Sequence, residues 1–372
     1  MAMKYRHQEE YYQLVLDDVG TKIIDLHTAA PLSAIRLTFV GTNGATYCKD
    51  NRINDVITKI EIVDGSDQLL SLSLKEAQAL EFRRTGRMPY MRPGESNSGS
   101  QEESCLLCFG REMWDPDLYL DLSRFKNPQL KITTNIAAVA AASATAFLSG
   151  SLKVTIDMYL IEEGANPAAG FMMAKNVYSF TSAASGDEHI DLPTDYPYVN
   201  LLVRAYAAGK DVDENISKLK INCDSGKFTP IDKYVKDLYK IEEEDIGPAE
   251  LHYYLFRKNG ETITYDLNHD PIISLLPSVA GEMCGAAWSW SGRSLIYLYD
   301  NAGAAVTTEE LIQIIIRGSC PHATINVPMG KRIDPNTYFD ATAYGDIDLV
   351  LTQAYASTVS IILEQLRAYK TA

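Results

Sequence analysis

The stretch ITKIEIVDGSDQ, residues 57–68, recurs in this chain as ISKLKINCDSGK, residues 216–227. The first six positions carry the same pattern in both stretches, with polar and apolar side chains alternating from the third position on, and an Asp followed closely by a Gly comes next. Alternation with a period of two is typical of a β-strand that buries one face. The recurrence predicts one strand-and-turn unit that the 372-residue chain uses twice.

Two further pairs of similar stretches lie in the same order around the first pair. AIRLTFV from Ala34 is similar to YVNLLVR from Tyr198, and KVTIDM from Lys153 is similar to TVSIIL from Thr358. Alternating β sequences resemble one another easily, so a single pair has little weight. Three pairs in one order favour two β-sandwiches, each burying the inner faces of two antiparallel sheets.

A short helix is predicted at the same place in each copy, a few residues after the repeated stretch. Ser73–Gly86 combines strong helix formers with a Ser start and a Gly stop. Asp232–Ile241 carries an apolar stripe at helical spacing. Between its opening and closing stretches the second copy is 46 residues longer than the first, and we expect long loops there.

Many short strands, one early helix per copy and long loops favour the jelly roll among sandwich folds. The predicted fold class is all-β, with two tandem jelly-roll β-sandwiches and a few short helices. We assign residues 1–16 to an N-terminal arm, 17–165 to the first jelly roll and 166–372 to the second, with longer loops. The linker is predicted at Gly164–Gly170, where Pro and small residues interrupt the periodicity.

Three local predictions depend on turn chemistry and short patterns. LFRKNGETITYDL, residues 255–267, gives the strongest hairpin signal, because Asn-Gly lies between two alternating runs. Leu118–Leu122 is predicted to be a strand. Met91–Ser104, rich in Pro, Gly and Ser, is predicted to be the most flexible loop.

The composition favours a globular protein and disfavours nucleic-acid binding. Hydrophobic residues make up 46% of the chain and charged residues 22%, which is ordinary for domains with real cores. The net charge is −15, and the sequence has no cluster of Lys and Arg of the kind that neutralises phosphates. The N-terminus lacks the apolar segment of a secretory signal, so we expect folding in a reducing cytoplasm.

The sequence shows no recognised catalytic motif. Its six histidines are well separated, and neither a nucleophile elbow nor a phosphate-binding loop is present. Cys105 and Cys108 lack a second ligand pair and are interpreted as buried thiols. No catalytic, cofactor or metal site is predicted, and the protein is expected not to be an enzyme. The two carboxylates of a glycosidase cannot be recognised from spacing, so a jelly-roll carbohydrate-binding or glycan-processing protein stays open as an alternative, as does a receptor-binding spike.

Two longer stretches resemble a known family. ITKIEIVDGSDQLLSLSLKEAQALEFRRTG, residues 57–86, is similar to the opening of the first roll in double jelly-roll major capsid proteins of tailless icosahedral double-stranded DNA viruses, the lineage that includes adenovirus hexon. DIDLVLTQAYASTVSIILEQLRAY, residues 346–369, is similar to the last two strands of the second roll. The resemblance covers both rolls in outline, from about Ala34 to Tyr369.

The resemblance implies a structural role in a virion. Two rolls would stand side by side, three subunits would form a pseudo-hexagonal capsomer, and long loops would rise as towers on the outer face. Partners would be further copies of the chain, minor capsid and vertex proteins, and in many members an internal lipid membrane beneath the N-terminal segment.

Four residues are candidates for such contacts. Trp288 and Trp290 are predicted interface anchors, the alternative being one buried and one lid-like Trp. Lys4 and Arg6 can meet lipid headgroups in a membrane-proximal arm, the alternative being a frayed terminus.

Overall fold

The computed structural model describes residues 3–45, 48–49, 51–136, 147–277 and 283–369. These residues fold mainly into β-strands, with four short α-helices among them. None of the helices in the described part of the chain is long and apolar enough to cross a membrane.

The first half of the chain forms a sandwich of two antiparallel sheets. The strands of one sheet, in spatial order, are β1 (Lys4–Val15), β9 (Lys153–Glu163), β3 (Leu32–Thr42), β7 (Ser100–Cys108) and the short β6 (Met91–Arg92). The strands of the facing sheet are β2 (Val19–Asp25), β8 (Pro128–Asn135), β4 (Ile57–Asp64) and β5 (Asp67–Leu72). Two helices, α1 (Ile53–Val56) and α2 (Leu74–Thr85), lie before β4 and after β5.

The second half repeats this arrangement. One sheet contains β10 (Gly170–Thr181), β23 (Thr358–Ala368), β12 (Tyr198–Tyr206) and β21 (Thr324–Pro328). The other contains β11 (Gly186–Asp191), β22 (Ile347–Gln353), β13 (Ile216–Cys223) and β14 (Phe228–Tyr234). The helices α3 (Val212–Asn215) and α4 (Val235–Ile246) occupy the places of α1 and α2.

The two halves are therefore jelly rolls with the same strand order, in which the first and last strands of each roll are neighbours. All three sequence pairs fall on equivalent strands: β4 with β13, β3 with β12, and β9 with β23. The predicted duplication is confirmed at the level of topology. In the first copy the turn after β4 uses Gly65 at φ +64°, a conformation that glycine adopts without steric cost.

Each roll has its own core. Inward-facing residues such as Leu37, Ile60 and Ile156 fill the first roll, and residues such as Leu201, Leu219 and Ile361 fill the second. The alternation of buried and half-buried positions along β8, and along most of β13, is the alternation visible in the sequence. Burial of one face of every central strand is what holds the paired sheets together.

The extra residues of the second copy form strands, so the expectation of long loops is wrong. Between α4 and β21 lie six strands in two three-stranded sheets: β15 (Ala249–Arg257), β20 (Glu310–Pro321) and β17 (Leu267–Pro277), then β16 (Glu261–Thr264), β19 (Arg293–Asp300) and β18 (Met283–Trp290). We call this unit the inserted sandwich. It has a separate core that includes Tyr253, Leu298 and Ile314.

Two local predictions are wrong for reasons of tertiary structure. The Asn259-Gly260 turn does not close a hairpin, because β15 pairs with β20 while β16 pairs with β19 in the other sheet. Residues Leu118–Leu122 make only isolated bridges, at Leu118 and Leu120, before a short 3-10 helix.

The two predicted helices are present. α2 begins after Ser73, whose hydroxyl accepts from the backbone N–H of Glu76, and ends at Gly86. The second helix begins only at Val235, because residues 232–234 complete strand β14.

Candidate functional site

Among the described residues, buried ion pairs lie where the two rolls and the inserted sandwich meet. The candidate functional site is therefore a set of contact surfaces. The first is the contact between the rolls. Glu364 on β23 is fully buried, and Arg84 of α2 donates to its Oε1 at 2.7 Å. Arg332 donates to both carboxylate oxygens at 2.8 Å. Although burial acts to raise it, the pKa of Glu364 is lowered to about 2 by these two guanidinium groups.

A second contact joins the same two rolls. Arg367 on β23 donates to both oxygens of Asp67, at 2.8 and 2.5 Å, in the bidentate geometry typical of Arg and carboxylate. This hydrogen bonding lowers the pKa of Asp67. Nearby, Lys175 of β10 and Ser71 of β5 form a parallel pair that links one sheet of each roll. The rolls therefore lie side by side as one body.

A buried ion pair joins the inserted sandwich to the first roll. Glu95 and Arg257 are both fully buried and form an ion pair, with Arg257 Nη2 2.8 Å from Glu95 Oε1. The backbone N–H of Phe256 donates to the other oxygen at 3.0 Å. Glu95 lies within Met91–Ser104, and the ends of this segment belong to β6 and β7, so the prediction that the whole segment is a loop is wrong.

Trp288 and Trp290 lie on the same face of β18, two residues apart. Trp288 is 70% exposed and Trp290 is 36% exposed, so the alternative of one buried Trp is wrong. Trp290 lines an open groove together with Ile272, which is also 70% exposed, and Gly209 of the second roll. The role of the two Trp residues at an interface stays a prediction, but both are accessible for it.

Lys4 and Arg6 lie on β1, an edge strand that pairs antiparallel with β9. Lys4 Nζ is 2.7 Å from Glu163 and Arg6 Nε is 2.9 Å from Glu162. Residues 4–15 thus belong to a sheet of the first roll, which corrects both the separate arm at residues 1–16 and the frayed terminus. Because each cation already has a carboxylate neighbour, attraction to anionic headgroups is reduced.

One aromatic surface was not recognised from the sequence. The rings of Tyr5 and Trp114 lie 4.6 Å apart, and those of His7 and Tyr159 also lie 4.6 Å apart, on the outside of the first roll. These residues are far apart in sequence except for Tyr5 and His7. The pairing of β1 with β9 brings Tyr5 and His7 to Tyr159, and the loop after β7 adds Trp114.

The cysteines and candidate metal ligands lie elsewhere. Cys105 and Cys108 are buried on opposite faces of β7, and burial raises the pKa of the Cys105 thiol well above its ordinary value. The described residues include one group that could hold a metal ion, Asp211, Asp213 and His269, whose ligand atoms lie within 4.8 Å of one another. Within that group His269 Nδ1 lies 3.5 Å from an Asp211 oxygen, so an imidazole–carboxylate pair accounts for part of the geometry.

Comparison with known proteins gives a result for structure and none for sequence. No family model matches the chain, and no curated protein is similar to it in sequence. A chain in the atomic structure of Sulfolobus Turreted Icosahedral Virus superposes with a TM-score of 0.63 and 11% identity, over 98% of this chain and 91% of that one.

Two further solved structures show the same likeness. The major capsid protein P2 from bacteriophage PM2 gives a TM-score of 0.53 and 10% identity, over 99% of this chain and 98% of that one. The PBCV-1 virus capsid gives 0.53 and 10%, over 100% of this chain and 96% of that one. At such low identity the likeness establishes the fold. The chain has the double jelly-roll fold, as its resemblance to that family predicted.

Proposed function

We propose that this protein is a viral major capsid protein that works by assembly and has no catalytic turnover. The observation that carries the proposal is that two rolls of identical strand order lie side by side in one chain, held by the buried Arg84–Glu364–Arg332 contact. A chain with two similar walls can meet neighbours through both in a closed shell. The fold-level likeness to a major capsid protein and a virus capsid over nearly the whole chain supports this role.

The capsomer is a homotrimer in this proposal. Three chains with two similar rolls each supply six similar walls, which gives a pseudo-hexagonal outline and suits hexagonal packing in an icosahedral lattice. The inserted sandwich then forms the tower, and Trp288 and Trp290 contact the neighbouring subunit. Obligate interfaces of this kind commonly bury roughly 2,000 Å² or more and are apolar at their centres.

The remaining partners follow from the same role. Minor capsid and vertex proteins fill the gaps and corners of the shell, and the first strand, with Lys4 and Arg6, faces an internal membrane where one is present. Direct contact with nucleic acid is not part of the proposal, because a net charge of −15 repels phosphates. The protein is synthesised and folded in the host cytoplasm and functions in the virion. The described free cysteines are compatible with folding in a reducing compartment.

The experiment is a mass measurement combined with imaging. Light scattering on the purified full chain is expected to give three times 41.3 kDa, and negative-stain images are expected to show particles with a near-hexagonal outline. Elongated monomers at micromolar concentration would contradict the proposal.

The carbohydrate-binding alternative is favoured by one observation, the surface aromatic group of exposed Tyr5 with half-buried Trp114 and Tyr159. Flat aromatic surfaces with polar edges suit sugar faces as well as protein partners. A glycan array distinguishes the two functions, because a shell protein is expected to retain no glycan, whereas saturable binding that Trp114→Ala abolishes would support the alternative.

A further inference from the structure

A small cavity of about 140 Å³ lies where the first roll, the second roll and the inserted sandwich meet. The first roll contributes Arg52, just before α1, and Lys75, in the first turn of α2. The second roll contributes Arg204 on β12. Asp266, between β16 and β17, and His322, between β20 and β21, complete the set of charged or titratable side chains.

Arg52 is a buried cation with unused hydrogen-bonding capacity at its two terminal nitrogens. Its side chain is 5% exposed, and neither Nη1 nor Nη2 has a hydrogen-bond partner among the described residues. Among the described residues its ion-pair partner is Glu95, whose carboxylate oxygen lies 3.6 Å from Nη2. Glu95 already accepts hydrogen bonds from Arg257. A buried guanidinium group in this state calls for an acceptor inside the cavity.

His322 adds a further buried donor group. Its imidazole is fully buried, with Nδ1 3.1 Å from an Asp266 oxygen. Both ring nitrogens are buried and neither makes a hydrogen bond to any described residue, so the N–H of the imidazole is available to an acceptor in the cavity. Arg204 donates from Nε to the carbonyl of His322 at 3.0 Å, so these two side chains are held against each other at the cavity wall.

The two carboxylates of the cavity are already engaged. Asp55 lies 2.5 Å from Lys75 Nζ and accepts from the backbone N–H of Arg52 at 3.1 Å. Asp266 has the imidazole of His322 as its nearest basic group, and its pKa is held well below the usual range by His322, Lys75 and Arg52, although burial acts to raise it. Three permanent cations therefore face two carboxylates along the lining. Burial lowers the pKa of Arg204, as expected for a guanidinium group that forms no ion pair with a described carboxylate.

We propose that this cavity binds one free tetrahedral oxyanion of the phosphate or sulfate class, held by Arg52, Arg204 and His322. The planar fork of a guanidinium group matches the oxygen spacing of such an anion, and two forks from different rolls can hold it together. The volume accommodates a few water molecules or one small anion. Bound there, the anion links both rolls and the inserted sandwich within one subunit. This inference does not depend on the capsid role.

The test uses the purified full chain in a phosphate-free and sulfate-free buffer. Titration calorimetry with sodium phosphate is expected to show one saturable site per chain. The melting temperature is expected to rise by several degrees in excess phosphate, compared with sodium chloride at the same ionic strength, because a ligand that binds only the folded state stabilises it. Sulfate is expected to bind and to raise the melting temperature in the same way, whereas AMP is expected to do neither.

Arg204→Gln is expected to weaken phosphate binding at least tenfold. Arg317→Gln, which removes an exposed cation of the inserted sandwich paired with Glu250, is the matched control and is expected to leave binding unchanged. Circular dichroism establishes that both variants fold, and broadening of the phosphate signal in phosphorus NMR tests the unmodified protein without any variant. The proposal is overturned if phosphate acts no more strongly than chloride, if Arg204→Gln binds as well as the parent, or if AMP binds more tightly than phosphate.

Discussion

Arg84 of the first roll and Glu364 of the second form an ion pair of 2.7 Å in which the side chains are 8% and 0% exposed. Each partner lies in a different copy of the duplicated module, so the pair exists only when the rolls are docked. Removing one member of a buried pair leaves the other desolvated without compensation.

Glu364→Gln is therefore expected to destabilise the subunit strongly. Arg84 and Arg332 would both remain buried without an anion, at a cost of about 3–5 kcal/mol in the free energy of unfolding. Chemical denaturation of the two proteins measures the difference. Lys240→Gln is the matched control, because its pair with Asp237 is exposed on both sides and is worth about 0–1 kcal/mol. Equal losses in the two variants would contradict the assignment.

Glu364 also predicts a window of acid sensitivity. Its pKa is about 2 in the folded protein against an ordinary value of 4.5, so the folded state favours the ionised form. The stability that this shift contributes, about 3 kcal/mol, is present above pH 4.5 and is lost as the pH falls towards 2. Denaturation midpoints between pH 5 and pH 3 are expected to fall more steeply for the parent than for Glu364→Gln. Parallel profiles would contradict this.

The pKa shift of Glu103 predicts a pH dependence of stability with the opposite sign. Glu103 is fully buried on β7 beside Gln78, and burial raises its pKa to about 8. Between pH 4.5 and pH 8 the unfolded chain has lost this proton while the folded chain retains it, so stability falls as pH rises. Glu103→Gln is expected to match the parent near pH 5 and to exceed it by a few kcal/mol, roughly 2–5, at pH 9. A variant that is equally destabilised at both pH values would disprove this behaviour.

Much of the double-roll architecture could be predicted from the sequence because it depends on local periodicity. Strands β3, β4 and β9 have counterparts of similar pattern in β12, β13 and β23, and their order along the chain implies the same pairing. The helix α2 was predictable in detail because Ser73 and Gly86 are local capping signals.

The inserted sandwich and the buried charges could not be predicted in the same way. β15 pairs with β20, more than fifty residues later, while the Asn-Gly turn that follows it gives a false hairpin signal. Glu95 and Arg257 are likewise distant in sequence, and nothing in a Pro- and Gly-rich stretch indicates that its Glu is buried. Strand pairs and ion pairs of this kind form only where distant elements pack together, and the local sequence does not specify that packing.

Glu95→Gln is expected to loosen the attachment of the inserted sandwich. The variant leaves Arg257 buried without its carboxylate and weakens the hydrogen bond to the N–H of Phe256. Hydrogen exchange is expected to speed up by at least tenfold in residues 91–104 and in β15, while β13 and β22 of the second roll keep their protection. Glu244→Gln, on the exposed side of α4, is the control and should leave all four regions unchanged.

Trp288→Ser tests the predicted interface separately from the fold. The side chain is 70% exposed in the isolated subunit, so its loss is expected to leave the melting temperature of the monomer within about one degree. If Trp288 anchors a neighbouring subunit, truncation costs about 2 kcal/mol or more and raises the trimer dissociation constant roughly thirtyfold. Sedimentation across a concentration series measures this. Tyr254→Ser, 53% exposed on the other sheet of the inserted sandwich, is the control and is expected to keep the trimer intact. An unchanged trimer in Trp288→Ser would show that this residue is not part of the interface. It would not contradict the trimeric assembly, which the outline of the particles in negative stain tests separately.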